Sequence, residues 1–143
     1  MNKEMKQLVK QLHEGKHSCV ILTAGGDTYT CNRRGVADLY EIYRTMPEVL
    51  EGATVADKVI GKGAAALLAL GKVKEAHGDV VSEPAMALLR AAGVKAEAGE
   101  VTPHIINRAG TGRCPLETAC DGLETPEEIY PAIVEFVNNL KIK

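Results

Sequence analysis

The chain has 143 residues, enough for one domain with a buried core. A formal charge of −2, a pI near 6.1, no Trp and one Phe argue against nucleic-acid binding, which calls for a basic patch or aromatic stacking platforms. The first residues, Met1 to Lys10, hold no apolar signal segment, and no apolar run approaches the roughly 18 residues of a membrane span, so no membrane partner and a cytoplasmic location are expected.

In chain order, Lys3 to Glu14 sets Met5, Leu8, Val9 and Leu12 at helical spacing and stops at Gly15. Ser18 to Ala24 is an apolar run suited to a buried strand. Gly25-Gly26-Asp27 predicts a hairpin turn, and Asp27 to Asn32 alternates as the returning strand. A helix follows from Gly35 to Met46, halted before Pro47. Val55 to Gly61 predicts a third strand that opens directly into a helix over Lys62 to Leu70. That helix is nearly all Ala and Leu, so it has to be central and covered on most sides.

Ala76 to Val81 predicts a fourth strand, Pro84 opens a helix closed by Gly93, and Val101 to Ile106 predicts a fifth strand. Thr125-Pro126-Glu127-Glu128 carries a Thr N-cap, with Glu128 completing a capping box. The last helix runs from there to about Leu140, with Pro131 as a kink site and Ile129, Ile133, Val134, Phe136, Val137 and Leu140 as its core stripe. A hairpin followed by alternating strands and helices implies an α/β fold with a mixed sheet, a single domain over residues 1–143.

Without a signal segment the four cysteines are expected reduced. Cys19 and Cys31 lie on the two arms of the hairpin, where they could face each other across it, the simpler reading being two small buried hydrophobes. His13, His17 and His77 stand in polar surroundings and read as surface residues. The set His104, Cys114 and Cys120 has a spacing that matches no common zinc framework, so no metal or other cofactor is expected.

Chemistry is expected at two strand-to-helix junctions and one loop. Lys62 with Gly63, and Glu83 before Pro84, each put a charge at a helix start, where free N–H groups and the positive dipole end favour anions. Tight helix–sheet packing with a solvated Lys62 explains the first junction equally well, and a helix-start charge explains Glu83. The segment Asn107 to Cys120 gathers Asn107, Arg108, Gly112, Arg113, Cys114 and Glu117 in fourteen residues. The two guanidiniums suit phosphate or carboxylate. Beside Arg113, the Cys114 thiol is a candidate nucleophile, although no firm general base accompanies it.

The runs D-K-V-I-G-K-G-A-A-A-L-L-A-L-G, S-E-P-A-M-A-L-L-R-A-A-G-V and N-R-A-G-T-G-R-C-P-L-E resemble the DUF1893 family, uncharacterised prokaryotic proteins grouped with the cytidine deaminase-like superfamily. The resemblance implies a three-layer α/β/α sandwich. Zinc deaminases hold their metal with His or Cys before x-Glu at one helix start and Pro-Cys-x-x-Cys at the next. Here those places read Gly61-Lys62-Gly63-Ala64 and Pro84-Ala85-Met86-Ala87, so neither the ligands nor the catalytic Glu carry over.

The leading expectation is a domain that binds a small anionic or nucleotide-like ligand through Lys62, Gly63, Glu83, Asn107, Arg108, Gly112 and Arg113. One alternative is an enzyme with Cys114 as nucleophile or redox thiol and Glu117 or Glu83 as proton carrier. Another is a non-catalytic interaction or regulatory module assembled through the Ala-rich helix, since the resemblance leaves room for a homo-oligomer.

Overall fold

A computed structural model describes residues 3–33, 36–103 and 115–142, without the side chains of Pro115, Glu117, Leu140, Lys141 and Ile142. The elements are α1 (Lys3–Glu14), β1 (Cys19–Leu22), β2 (Thr28–Cys31), α2 (Ala37–Thr45), β3 (Thr54–Ile60), α3 (Lys62–Leu70), β4 (Glu75–Ser82), α4 (Glu83–Ala91), β5 (Lys95–Thr102), α5 (Pro115–Ala119) and α6 (Pro126–Ile142). The strands form one five-stranded sheet in the order β2-β1-β3-β4-β5. β1 runs antiparallel to β2 and β3, while β3, β4 and β5 are parallel. The architecture is the expected three-layer α/β/α sandwich with a mixed sheet.

Alternation along the strands sorts the layers. Cys19, Ile21 and Val55 join α2, α3, α4 and α6 in the large core, whereas Val20 and Ala56 face Met5, Leu8 and Leu12 of α1 on the opposite side. The alternation then slips. Val55 and Ile60 both face the large core at an odd separation, as do Ala76 and Val81 in β4. In β3 the face changes around Asp57, whose Oδ1 accepts the Val59 N–H at 3.1 Å.

The Ala/Leu helix α3 lies at the centre, with Gly63 through Leu68 all buried. It packs on α4, α6, α2, α5 and β3, which enclose its small side chains from Gly63 to Leu68. α6 begins with the expected capping box: the Thr125 hydroxyl accepts the Glu128 N–H at 3.1 Å, and Glu128 accepts the Thr125 N–H at 3.2 Å. The helix continues through Pro131.

Two expectations needed correction. The fifth strand is Lys95–Thr102 rather than Val101–Ile106, and residues 104–106 lie outside the described residues. β5 is an edge strand that offers only Ala96 and Ala98 to the core, so no large apolar residue announces it. The second correction is α5, a helical turn inside what had read as loop, opened by Pro115 and anchored by buried Leu116.

Leu67→Ala should cost about 2–5 kcal/mol in urea unfolding, because Leu67 is fully buried among neighbours on every side. Thr125→Ala should cost only about 1 kcal/mol, the value of an N-cap.

Candidate functional site

β1 is antiparallel to both neighbours, so β2 runs parallel to β3, β4 and β5. Each of β2, β3 and β4 is followed by a helix packed into the large core. The N-termini of α2, α3 and α4 therefore share one edge of the sheet, at the carboxyl ends of the strands. That edge is where open α/β sheets place their ligands.

At the first start, Asp38 organises the turn. Its Oδ2 accepts the backbone N–H groups of Asn32 and Arg33 at 3.0 Å each, and its Oδ1 takes the Arg33 guanidinium. Burial pushes the Asp38 carboxyl up, but those N–H donors and the guanidinium outweigh it and hold the group below its usual value. His17 Nδ1 meets Asn32 Oδ1 at 2.7 Å, tying the chain entering β1 to this turn.

The second start is Gly61, extended and without a side-chain cap. Lys62 is half-buried, and its Nζ donates to the Cys120 carbonyl at 3.0 Å. At Gly63 a Cβ would stand 2.6 Å from Leu116 Cδ2. The Lys-Gly pair thus docks α5 against α3, a packing role that the sequence had left open beside ligand approach. At the third start, the Ser82 hydroxyl accepts the Ala85 N–H at 3.3 Å, and Glu83 is exposed on the first turn of α4. Lys62 and Glu83 follow adjacent parallel strands, so they stand side by side along the edge.

The described chain leaves β5 at Thr102 on this same edge and resumes at Pro115, beside the start of α3. Asn107, Arg108, Gly112, Arg113 and Cys114, together with His104, lie between those points, outside the described residues. Glu117 lies in α5, with its side chain outside them too.

Sequence reasoning placed Cys19 and Cys31 across the hairpin but missed Asp57 in the first of two clusters, and missed the second. The first is a row across three strands, with Cys31 opposite Cys19 and Cys19 opposite Asp57. Burial drives the Asp57 carboxyl up to about 7. The N–H groups of Val59 and Lys58 and the Cys19 thiol oppose that rise, and the nearby Asp79 charge adds to it. The Cys19 thiol is raised well above its usual value by its hydrogen bond to Cys31, by burial and by the Asp57 charge. An Asp in the middle of an apolar strand was the available signal.

The second cluster lies on the α1 side. His13 Nε2 and His77 Nε2 meet the two carboxylate oxygens of Asp79 at 2.7 and 3.3 Å. His77 is only 7% exposed, contrary to the surface position expected of it, because β4 is an interior strand. Among the described residues its Nδ1 has no hydrogen-bond partner, while its Nε2 faces the Asp79 carboxylate. His13 and His17 are partnered as well, so none of the three stands alone.

Among the described residues no group of three His, Cys, Asp or Glu could hold a metal ion. Two open grooves lie away from the helix starts. One of about 770 Å³ runs between α1 and the hairpin, from Glu4 to Thr28. The other, about 490 Å³, is walled by Tyr43, Tyr130, Arg44 and Lys72 at the opposite end of α3.

The family model described as TM1506, a domain of unknown function (DUF1893), matches residues 7–137. The chain belongs to this family. Among solved structures, it is similar to a crystal structure of a DUF1893 family protein, TM1506, from Thermotoga maritima. The two share 25% identity and a TM-score of 0.84, over 94% of this chain and 91% of that one. No curated protein matches. No helix among the described residues is long and apolar enough to cross a membrane.

The Asp57 row gives a pH signature. A carboxyl raised in the fold destabilises it when ionised, so its penalty is full above about 7 and fades as pH falls towards the unfolded value of 3.8. Unfolding free energy should therefore rise by a few kcal/mol, on the order expected for such a shift, between pH 8 and pH 5. Asp57→Asn should flatten that slope in urea titrations across the same range.

Proposed function

We propose that this chain is a ligand-binding domain, with a small anionic or nucleotide-like molecule held along the helix-start edge. The observation that carries the reading is convergence. Three helix N-termini lie along one edge, and the described chain on either side of the Arg-bearing residues 104–114, at Thr102 and Pro115, lies there too. The open Gly61 start supplies backbone N–H donors and the positive end of a nine-residue helix. Arg108 and Arg113 supply planar donors for the anion.

In this reading Lys62 adds charge from its place against Cys120, and Gly63 serves packing rather than ligand approach. Asn107 and Gly112 shape the segment, and Glu83 sets a polar limit that favours a ligand carrying a donor as well as an anion. The layout is deaminase-like without zinc ligands, and the domain works in the cytoplasm as a binding module, open to self-assembly.

The test is a thermal-shift screen of nucleotides and phosphorylated metabolites, followed by calorimetric titration of any stabilising compound. At least one compound should raise Tm, with affinity that falls as salt rises. Arg108→Ala should lose most of the shift. No stabilisation by any compound, or an undiminished shift in Arg108→Ala, overturns the reading. Labelling Cys114 against pH separates binding from thiol catalysis: ordinary reactivity near a pKa of about 8.5 removes the nucleophile.

A further inference from the structure

The hairpin at the sheet edge holds a feature that ligand binding does not use. Cys19 and Cys31 are direct cross-strand partners, so their side chains leave the same face of the sheet. Thr23 donates to the Asp27 carbonyl at 2.8 Å, which marks Thr23 and Asp27 as a hydrogen-bonded pair. Hydrogen-bonded pairs alternate along an antiparallel ladder, so Ile21 with Tyr29 and then Cys19 with Cys31 are of the same kind. Such pairs stand about 5.5 Å apart at Cα, inside the window that a disulfide spans without moving the backbone.

The surroundings fit thiol exchange. Cys19 stands opposite Cys31 on one side and opposite Asp57 on the other, so the carboxyl and both thiols share one row of the sheet. Both are free thiols and each is 2% exposed. Cys31 is the last residue of β2, which pairs only with β1, so fraying of one short edge strand uncovers it.

We propose that Cys19 and Cys31 are a reversible redox pair, closed to a cross-strand disulfide by a low-molecular-weight disulfide, with Asp57 as the proton carrier. The Cys31 thiolate attacks one sulfur of the small disulfide. The old S–S bond breaks, a mixed disulfide forms on Cys31, and the departing thiolate takes up the proton that Cys31 lost. Cys19 then gives its proton to Asp57 and attacks the Cys31 sulfur, expelling the second small thiolate, which collects that proton from Asp57. Two protein thiols are oxidised by two electrons, one small disulfide is reduced to two thiols, and no net proton is released.

The sequence makes the test direct, because trypsin releases Cys19 and Cys31 together in one peptide, His17 to Arg33, separate from Cys114 and Cys120. Native protein is incubated with oxidised glutathione, alkylated, digested and weighed. The expected product is this peptide lacking two hydrogens and refractory to alkylation, in a protein whose Tm has risen. Dithiothreitol should return both.

Asp57→Asn, which keeps an acceptor oxygen in place, should accumulate the glutathione adduct on Cys31 and close the ring several-fold more slowly at pH 8. A purely structural Asp57 would change Tm without changing that ratio. Three results overturn the proposal: both cysteines alkylated as free thiols after oxidation, a stable glutathione adduct in the unmutated protein, or a ring-closure rate unchanged in Asp57→Asn. If Asp57→Asn fails to fold, Asp57→Glu replaces it, and ring closure indifferent to the displaced carboxylate has the same force.

Discussion

An Ala/Leu helix with no polar stripe is stable only where water is excluded all round it, and α3 meets that condition by gathering β3, α2, α4, α5 and α6 about itself. Small side chains let these neighbours approach closely, at the cost of tight tolerances. Gly63 has room for Leu116 and for nothing more, and Gly71 at the far end is pressed against Leu50. The same enclosure fixes the direction in which α3 starts, and hence the edge on which Gly61 and Lys62 present themselves. Site and core are in this sense one packing problem.

The elements most legible in the sequence were those whose signal is local. The capping box before α6, the glycine turn between β1 and β2, and the apolar run of α3 each need only their own residues to declare themselves. β5 was misplaced because, as the last strand of the sheet, it sets only Ala96 and Ala98 against the core and so carries no apolar run of its own. α5 escaped for a related reason: one buried Leu and a lysine reaching to the Cys120 carbonyl just past its end hold it, and both contacts cross long stretches of chain.

The candidate site divides along the same line. That Lys62 and Glu83 sit at helix starts was visible in the strand-to-helix junctions. The occupation of Lys62 by Cys120, and of the space at Gly63 by Leu116, was not, because α5 had not been seen as a helix. Asp57 and His77 show the limit of composition as a guide. Each is an ionisable residue in a strand where alternation assigns it a face, yet only the sheet order says that both faces are covered there. The family relation accounts for the fold, while the guanidiniums proposed to hold the anion belong to residues 104–114.

The separation of the core into two unequal parts has a consequence for how the molecule comes apart. α1 rests on the sheet through Met5, Leu8 and Leu12 against Val20 and Ala56, with the His13–Asp79 contact at its last turn. It shares no buried cluster with the helices on the other face. The free energy of lifting α1 is therefore a small part of the global value, and its amides belong to a lower tier of protection than those of α3. The protein has two stabilities rather than one, and the smaller governs the face of the sheet where Asp79 and His77 lie.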